Sequence, residues 1–320
     1  MRAAQLVGPH RLEFIDIPKP AASEGEVLVR LNHLSVCGSD LRYFSRVLPE
    51  EQYPLEVGKP CHECAGIIEE SNSPDFKPGQ RVIVLPTTSA GLAEYVAAPA
   101  NRIIPVPDSG DLANWLMCQH MGTVMYSCGR IGSVLGKTVV VLGQGAIGLN
   151  FTTMLSRNGA QRIIVTDLLD DRLRMASYLG ATDTINPTRS DVTGFVKELT
   201  NGTLADIVIE AAGRPETVNQ IAKLLRLEGT AILFGQPLLD DVFPIDYDAL
   251  MGRMGTMIST IGGRTANPTQ HISDCVNLVS EGRLDLSHLL THRLPFDQVQ
   301  QAFDLYAEKP EGFLKVVIDI

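Results

Sequence analysis

Apolar and polar residues alternate in short runs over the first third of the chain, at residues 3–7, 12–17, 27–32, 65–69, 81–85 and 92–97. Clusters of Gly, Pro, Asp and Ser separate these runs. Period-two segments punctuated in this way predict a β-rich unit, a small barrel or sandwich, over residues 1 to about 107. The Pro-rich stretch 102–111 reads as a boundary, and residues 111–135 predict helix with Asp111 as N-cap. From Thr138 the rhythm changes, and β-branched apolar runs alternate with helix-period segments. Strands are predicted at 138–142, 162–167, 182–185, 205–213, 230–235 and 256–261, with helices at 146–157, 171–179, 192–199, 216–227 and 247–254 between them. Six such strands joined through helices make a doubly wound parallel sheet. Helices at 269–282 and 296–308 and a strand at 314–320 complete the chain.

The first turn of that sheet carries Gly143, Gly145 and Gly148 in G-x-G-x-x-G spacing, with Gln144, Ala146 and Ile147 between them. Each glycine has its own use: a tight turn, close approach of a pyrophosphate to the backbone, and close helix–strand packing. The helix N-terminus offers unpaired N–H groups and a partial positive charge to the pyrophosphate. The second strand ends at Asp167, where a carboxylate accepts hydrogen bonds from an adenosine ribose. Glycine-rich turns are common, but a strand before and a helix after this one point to a dinucleotide.

Charge narrows the partners. The net charge of −10, with no basic block, argues against nucleic acid or an anionic membrane surface. No apolar run approaches the ~20 residues that span a bilayer. The first residues show no apolar signal segment, so a cytoplasmic location is expected. Six cysteines in 320 residues do not form a disulfide framework.

Two of those cysteines lie in clusters that fit a metal. Cys37, Ser39 and Asp40 follow a strand-like run, and His62 and Glu63 stand in KPCHECAG. Thiolate and imidazole suit zinc, and a catalytic zinc takes three protein ligands with one position open. Taken alone, a Cys and a His so spaced fit a buried thiol and a surface imidazole as well.

Together the motifs resemble the zinc-dependent medium-chain alcohol dehydrogenases, most of all their sorbitol/polyol branch. CGSDLRYF, HECAG, GQRVIV, GLAEYV, GQGAIG, TD, DIVIEAAG and THRLPFDQ follow in that family's order from end to end. The resemblance implies a GroES-like β-barrel catalytic domain over 1–120 and 261–320, and a Rossmann NAD-binding domain over 121–260. It implies zinc held by Cys37 and His62, with Glu63 as an alternate ligand or a neighbour of one, and Asp40 orienting His62. NAD would be held by the glycine turn, by Asp167 and Arg172 at its adenosine end, and by Thr123, Ala211, Gly213, Phe234 and Gly235 at its nicotinamide end. The implied reaction is reversible oxidation of a secondary alcohol, polyol or sugar-type substrate to a ketone, in a cleft between the domains. Ser39 would take the hydroxyl proton. Asp167 would select NAD, because a 2′-phosphate would set a dianion against its carboxylate.

The chain departs from the family's pattern in four places. The cysteine-rich loop of a structural zinc is missing, since VLPTTSA runs straight into GLAEYV; one zinc per chain is expected. The third ligand, usually Cys or Glu, falls on Gln119, with Cys118 and His120 to either side. A thiolate, an imidazole and a neutral amide leave zinc one positive charge, which acidifies bound water or alcohol more than a carboxylate ligand would. Arg42 stands where a relay histidine is usual. Cys61 replaces a glycine before His62 and makes a C-x-x-C with Cys64, outside the βαβ setting of a redox motif, so two packed thiols are expected. Tyr43 and Phe44 fit a substrate pocket or the barrel core equally. Rival readings are a zinc-free medium-chain reductase acting on enones or quinones, and a non-catalytic dinucleotide-binding protein. The sixth sheet strand could pair across a two-fold axis to give a homodimer or homotetramer.

Overall fold

Two units emerge from the chain, Met1–Gly122 with Thr265–Ile320, and Thr123–Arg264, in a computed structural model that describes residues 1–238 and 242–320. The second unit is built on six parallel strands in the order Asp183–Ile185, Arg162–Thr166, Thr138–Leu142, Ala205–Glu210, Leu225–Leu233, Thr256–Ser259. Counted along the chain, that order starts in the middle and winds outward both ways, the Rossmann arrangement. Val139, Val140, Val141 and Leu142 are all fully buried. Their β-branched side chains suit a strand covered on both faces. Val140, Ile164, Val196, Val208 and Ile221 share one core cluster between sheet and helices. Helix Val192–Leu199 starts where expected because Asp191 accepts from the Thr193 and Gly194 N–H groups, each at 3.0 Å.

The order of strands reverses between Thr138–Leu142 and Ala205–Glu210, and ligands bind outside the strand ends at such a point. The turns that follow these two strands touch. A Cβ on Gly143 would lie 3.1 Å from the Ala212 side chain.

In the first unit a seven-stranded sheet runs Leu290–Pro295, Lys315–Asp319, Glu26–Ser35, Glu63–Ser71, Arg81–Val84, Ile103–Pro105, with Tyr95–Pro99 also paired to Glu26–Ser35. Arg2–Gly8 and Arg11–Asp16 form a separate hairpin. Among the elements that differ from the sequence expectation, three show why. Ile103–Pro105 is a short strand inside the supposed boundary: Ile103 and Ile104 are buried, and the proline falls at its end. Leu290–Pro295 is an edge strand with no fully buried residue, held parallel to Lys315–Asp319. Helix Pro215–Leu224 stops three residues early because Leu225 opens the next strand, paired to Ala205. Among the described residues no helix is long and apolar enough to cross a membrane.

Candidate functional site

Strand register assembles the metal-ligand cluster. Ser35 at the end of Glu26–Ser35 pairs with Glu63 on one side and Val317 on the other. Two residues on, the chain turns at Cys37. That turn, with His62 and Glu63 at the start of Glu63–Ser71, brings together one sulfur, one imidazole nitrogen and one carboxylate oxygen, all within 4.8 Å of one another. Asp40 ties the cluster. Its Oδ2 accepts from the Cys37 N–H at 2.9 Å, and its Oδ1 lies 2.7 Å from His62 Nδ1. Pairing Nδ1 with a carboxylate leaves Nε2 as the ring's metal-donor atom. Ser39 is half-buried in the same turn, and its carbonyl accepts from the Arg42 N–H at 3.3 Å.

Burial disfavours a charged His62, but Asp40 and Cys37 outweigh it and hold the imidazole well above its ordinary pKa. A metal would have to displace that proton, so affinity should fall in acid. Burial would also raise Glu63, yet the Lys315 charge above all, with that of His62, brings it down to about 2. Lys315 Nζ lies 2.5 Å from Glu63 Oε2 and donates to the Val36 carbonyl at 2.7 Å.

Gln119 Nε2 donates to the His62 carbonyl at 2.7 Å, which fixes the amide beside the cluster. Its Oε1 is buried and has no hydrogen-bond partner among the described residues. A buried acceptor left without a donor is costly unless a cation or water meets it, and the neighbouring thiolate and imidazole are the ligands zinc prefers. The flanking residues behave differently. Cys118 faces Cys275, and this contact, with burial, pushes the Cys275 thiol up. His120 is buried and neutral, driven to about 3 by burial and the Lys315 charge. Among the described residues neither joins the close cluster.

The Cys61 and Cys64 sulfurs lie 4.0 Å apart in hydrogen-bonding contact, buried and with no disulfide between them. Phe44 is wholly buried, its ring 4.9 Å from His10 and 5.0 Å from Phe303, and so belongs to the core. Tyr43 is 48% exposed.

In the other unit the three glycines divide their work. Gly143 has φ +94°, which L side chains rarely adopt. A Cβ on Gly148 would lie 1.9 Å from the Gly143 carbonyl oxygen, so only glycine lets helix and turn meet. Around Gly145 there is open space, and it precedes helix Ala146–Arg157 with no side-chain cap on the N-terminus. An uncapped helix N-terminus with open space before it suits an anionic group such as a phosphate. Ala146 is buried and Ile147 half-buried in the first turn. Gln144 is buried as well: Nε2 donates to the Gly143 carbonyl and Oε1 accepts from Thr152 Oγ1, both at 2.9 Å. Asp167 accepts from the Gln144 N–H at 2.7 Å and the Leu169 N–H at 3.0 Å, with an Arg172 nitrogen 3.9 Å away. Ala211 N–H donates to the Leu142 carbonyl at 2.9 Å. Gly213 has φ +68°, and a Cβ on Gly262 would sit 2.8 Å from Thr123. Phe234 and Gly235 both donate N–H bonds to the Glu210 carbonyl at 3.0 Å.

Sequence reading passed over Lys315 and Glu210. The signal for each is a charge at the end of an apolar strand run, as in LKVVI and DIVIE.

A Rossmann sheet with an open glycine turn in one unit, and a thiol–imidazole–carboxylate cluster in a β-rich other, define a dehydrogenase of the medium-chain, zinc-binding class. Residues 23–108 match the alcohol dehydrogenase GroES-like domain, and residues 146–281 match the zinc-binding dehydrogenase family. An alcohol dehydrogenase of Cupriavidus necator is 30% identical, with 99% of this chain and 98% of that one covered. An oxidoreductase of unknown specificity from Escherichia coli superposes with a TM-score of 0.87 at 27% identity, covering 100% of this chain and 99% of that one. A Sinorhizobium meliloti protein described as a zinc-binding dehydrogenase, with NADP bound, superposes with a TM-score of 0.83 at 22% identity over 100% of this chain and 99% of that one. The chain belongs to the zinc-type alcohol dehydrogenase family.

Proposed function

We propose that the protein uses NAD and one zinc ion per chain to oxidise a secondary alcohol, polyol or sugar-type substrate reversibly to a ketone. The observation that carries this reading is the convergence of Cys37, His62 and Glu63 within 4.8 Å. Cys37, His62 and Gln119 are the residues we assign to hold zinc, with Glu63 kept beside them by Lys315. Zinc, when bound, supplies a Lewis acid that makes the substrate hydroxyl more acidic. A bound nicotinamide would supply the hydride acceptor, which is the cofactor's own chemistry.

The chain contributes placement and a route for the proton. Asp40 fixes the Cys37 backbone and the His62 ring together, so the two donors keep their mutual geometry. Ser39 Oγ takes the hydroxyl proton. Arg42 stands where a relay histidine is usual, so a bound cofactor's ribose hydroxyl, with water, would supply the onward acceptor for the proton Ser39 takes. Gly145 admits the pyrophosphate and Asp167 meets the adenosine ribose, which favours NAD over NADP.

A second copy of the chain is the partner we assign to the outer edge of the sheet, where Thr256–Ser259 is largely exposed and Met257 is 43% open. Light scattering should give a dimer or tetramer; a monomer mass would contradict this. Six unbonded cysteines fit the reducing cytoplasm.

The test is a screen of polyols and secondary alcohols followed by NADH absorbance, with zinc quantified on the same sample. Turnover with a polyol and about one zinc per chain are expected. Zinc-free protein that reduces enones or quinones would contradict the reading, and so would bound NAD with no turnover of any alcohol.

A further inference from the structure

Glu210 ends the strand Ala205–Glu210 and is wholly buried. No cation pairs with it among the described residues. Oε1 accepts from Ala212 N–H at 2.9 Å, Gly213 N–H at 2.8 Å and Thr217 Oγ1 at 2.7 Å, while Oε2 has no hydrogen-bond partner. Its main-chain carbonyl receives the Phe234 and Gly235 N–H groups. One residue therefore roots both turns assigned above to the nicotinamide end. Two glycines let those turns close on it. A Cβ on Gly235 would lie 2.2 Å from Gly213 N and 2.5 Å from Glu210 Oε2, and one on Gly213 would lie 2.4 Å from the Gln236 carbonyl oxygen.

A carboxylate in this setting is met by dipoles alone. Burial holds its pKa above the ordinary carboxylate value, and the hydrogen bonds on Oε1 oppose only part of that rise. A charge not cancelled by an ion pair projects a field on its surroundings, and low dielectric strengthens it. The nicotinamide ring is cationic in NAD and neutral in NADH. We infer that Glu210 discriminates between these two charge states, favouring the oxidised cofactor. The inference rests on the reading that the two turns hold nicotinamide.

The experiment measures Kd for NAD and for NADH by calorimetry on the whole, zinc-loaded protein. Glu210→Gln keeps an acceptor at Oε1 and removes the charge, so the ratio Kd(NAD)/Kd(NADH) rises on the order of three- to tenfold. Thr217→Lys, at a half-buried position, sets a cation against the same oxygen and raises the ratio even where Glu210→Gln does not fold. Thr217→Val removes one donor and leaves the charge, so both affinities move together and the ratio stays. A ratio unchanged in Glu210→Gln and Thr217→Lys overturns the inference and leaves the cofactor site intact. Failure of the unaltered protein to bind either nucleotide overturns both.

Discussion

Lys315 Nζ sits 2.5 Å from Glu63 Oε2 with both side chains 2% exposed, an ion pair closed off from water beside the candidate zinc ligands. Removing two charges from water is costly, and only close geometry with further hydrogen bonds offsets it. Lys315 has such a bond, to the carbonyl of Val36, the residue before Cys37. The pair thus joins the closing strand to the turn that presents the thiol.

Lys315→Met should strand the Glu63 charge and lower unfolding stability by about 3–5 kcal/mol, and Lys315→Met with Glu63→Gln should recover much of it. The pH dependence follows from Glu63, whose pKa falls from the ordinary 4.5 to about 2 on folding. A depressed carboxylate stabilises above its unfolded value, and that contribution is lost as pH falls from about 4.5 through about 2. Urea titrations of metal-free protein across that window check the slope, and Lys315→Met should flatten it.

Gln119→Glu adds a negative charge to the donor set. The expected result is an upward move of the rising limb of the pH–rate profile by roughly one unit, since a less positive metal acidifies its ligand less. An unchanged profile would remove Gln119 from the metal's surroundings.

Asp167→Ser should raise relative use of NADP, measured as the ratio of kcat/KM values, by roughly tenfold or more, because a dianion no longer faces a carboxylate. A ratio that stays fixed would mean that Asp167 does not set cofactor choice.

Gly145 and Gly148 should separate binding from folding. Gly145→Val fills open space at an ordinary backbone conformation, so stability should change by less than about 1 kcal/mol while NADH binding weakens beyond tenfold. Gly148→Ala drives a methyl group into the Gly143 carbonyl and should cost about 1–3 kcal/mol or more, read from thermal unfolding.

The parallel sheet was legible because its signals are local. Strand Thr138–Leu142, helices Ala146–Arg157 and Val192–Leu199, and the glycine turn between the first two declare themselves within a window of a few residues. Elements fixed by distant partners were not. Leu290–Pro295 buries no residue fully and is a strand because Lys315–Asp319 pairs with it. Leu225 leaves a helical pattern because Ala205 draws it into the sheet. At the site, Cys37, His62 and Glu63 carry their chemistry in their residue types, whereas Lys315 lies 252 positions from Glu63 and only register brings it there. Phe44 was ambiguous for the same reason, since His10 and Phe303 decide its surroundings.

X-ray absorption at the zinc edge of the purified protein tests the metal assignment most directly. The expected spectrum has one zinc per chain with a single sulfur neighbour at about 2.3 Å and the remaining neighbours nitrogen or oxygen, as Cys37, His62 and Gln119 require. Two or more sulfurs around the metal, or no zinc at all, would contradict it.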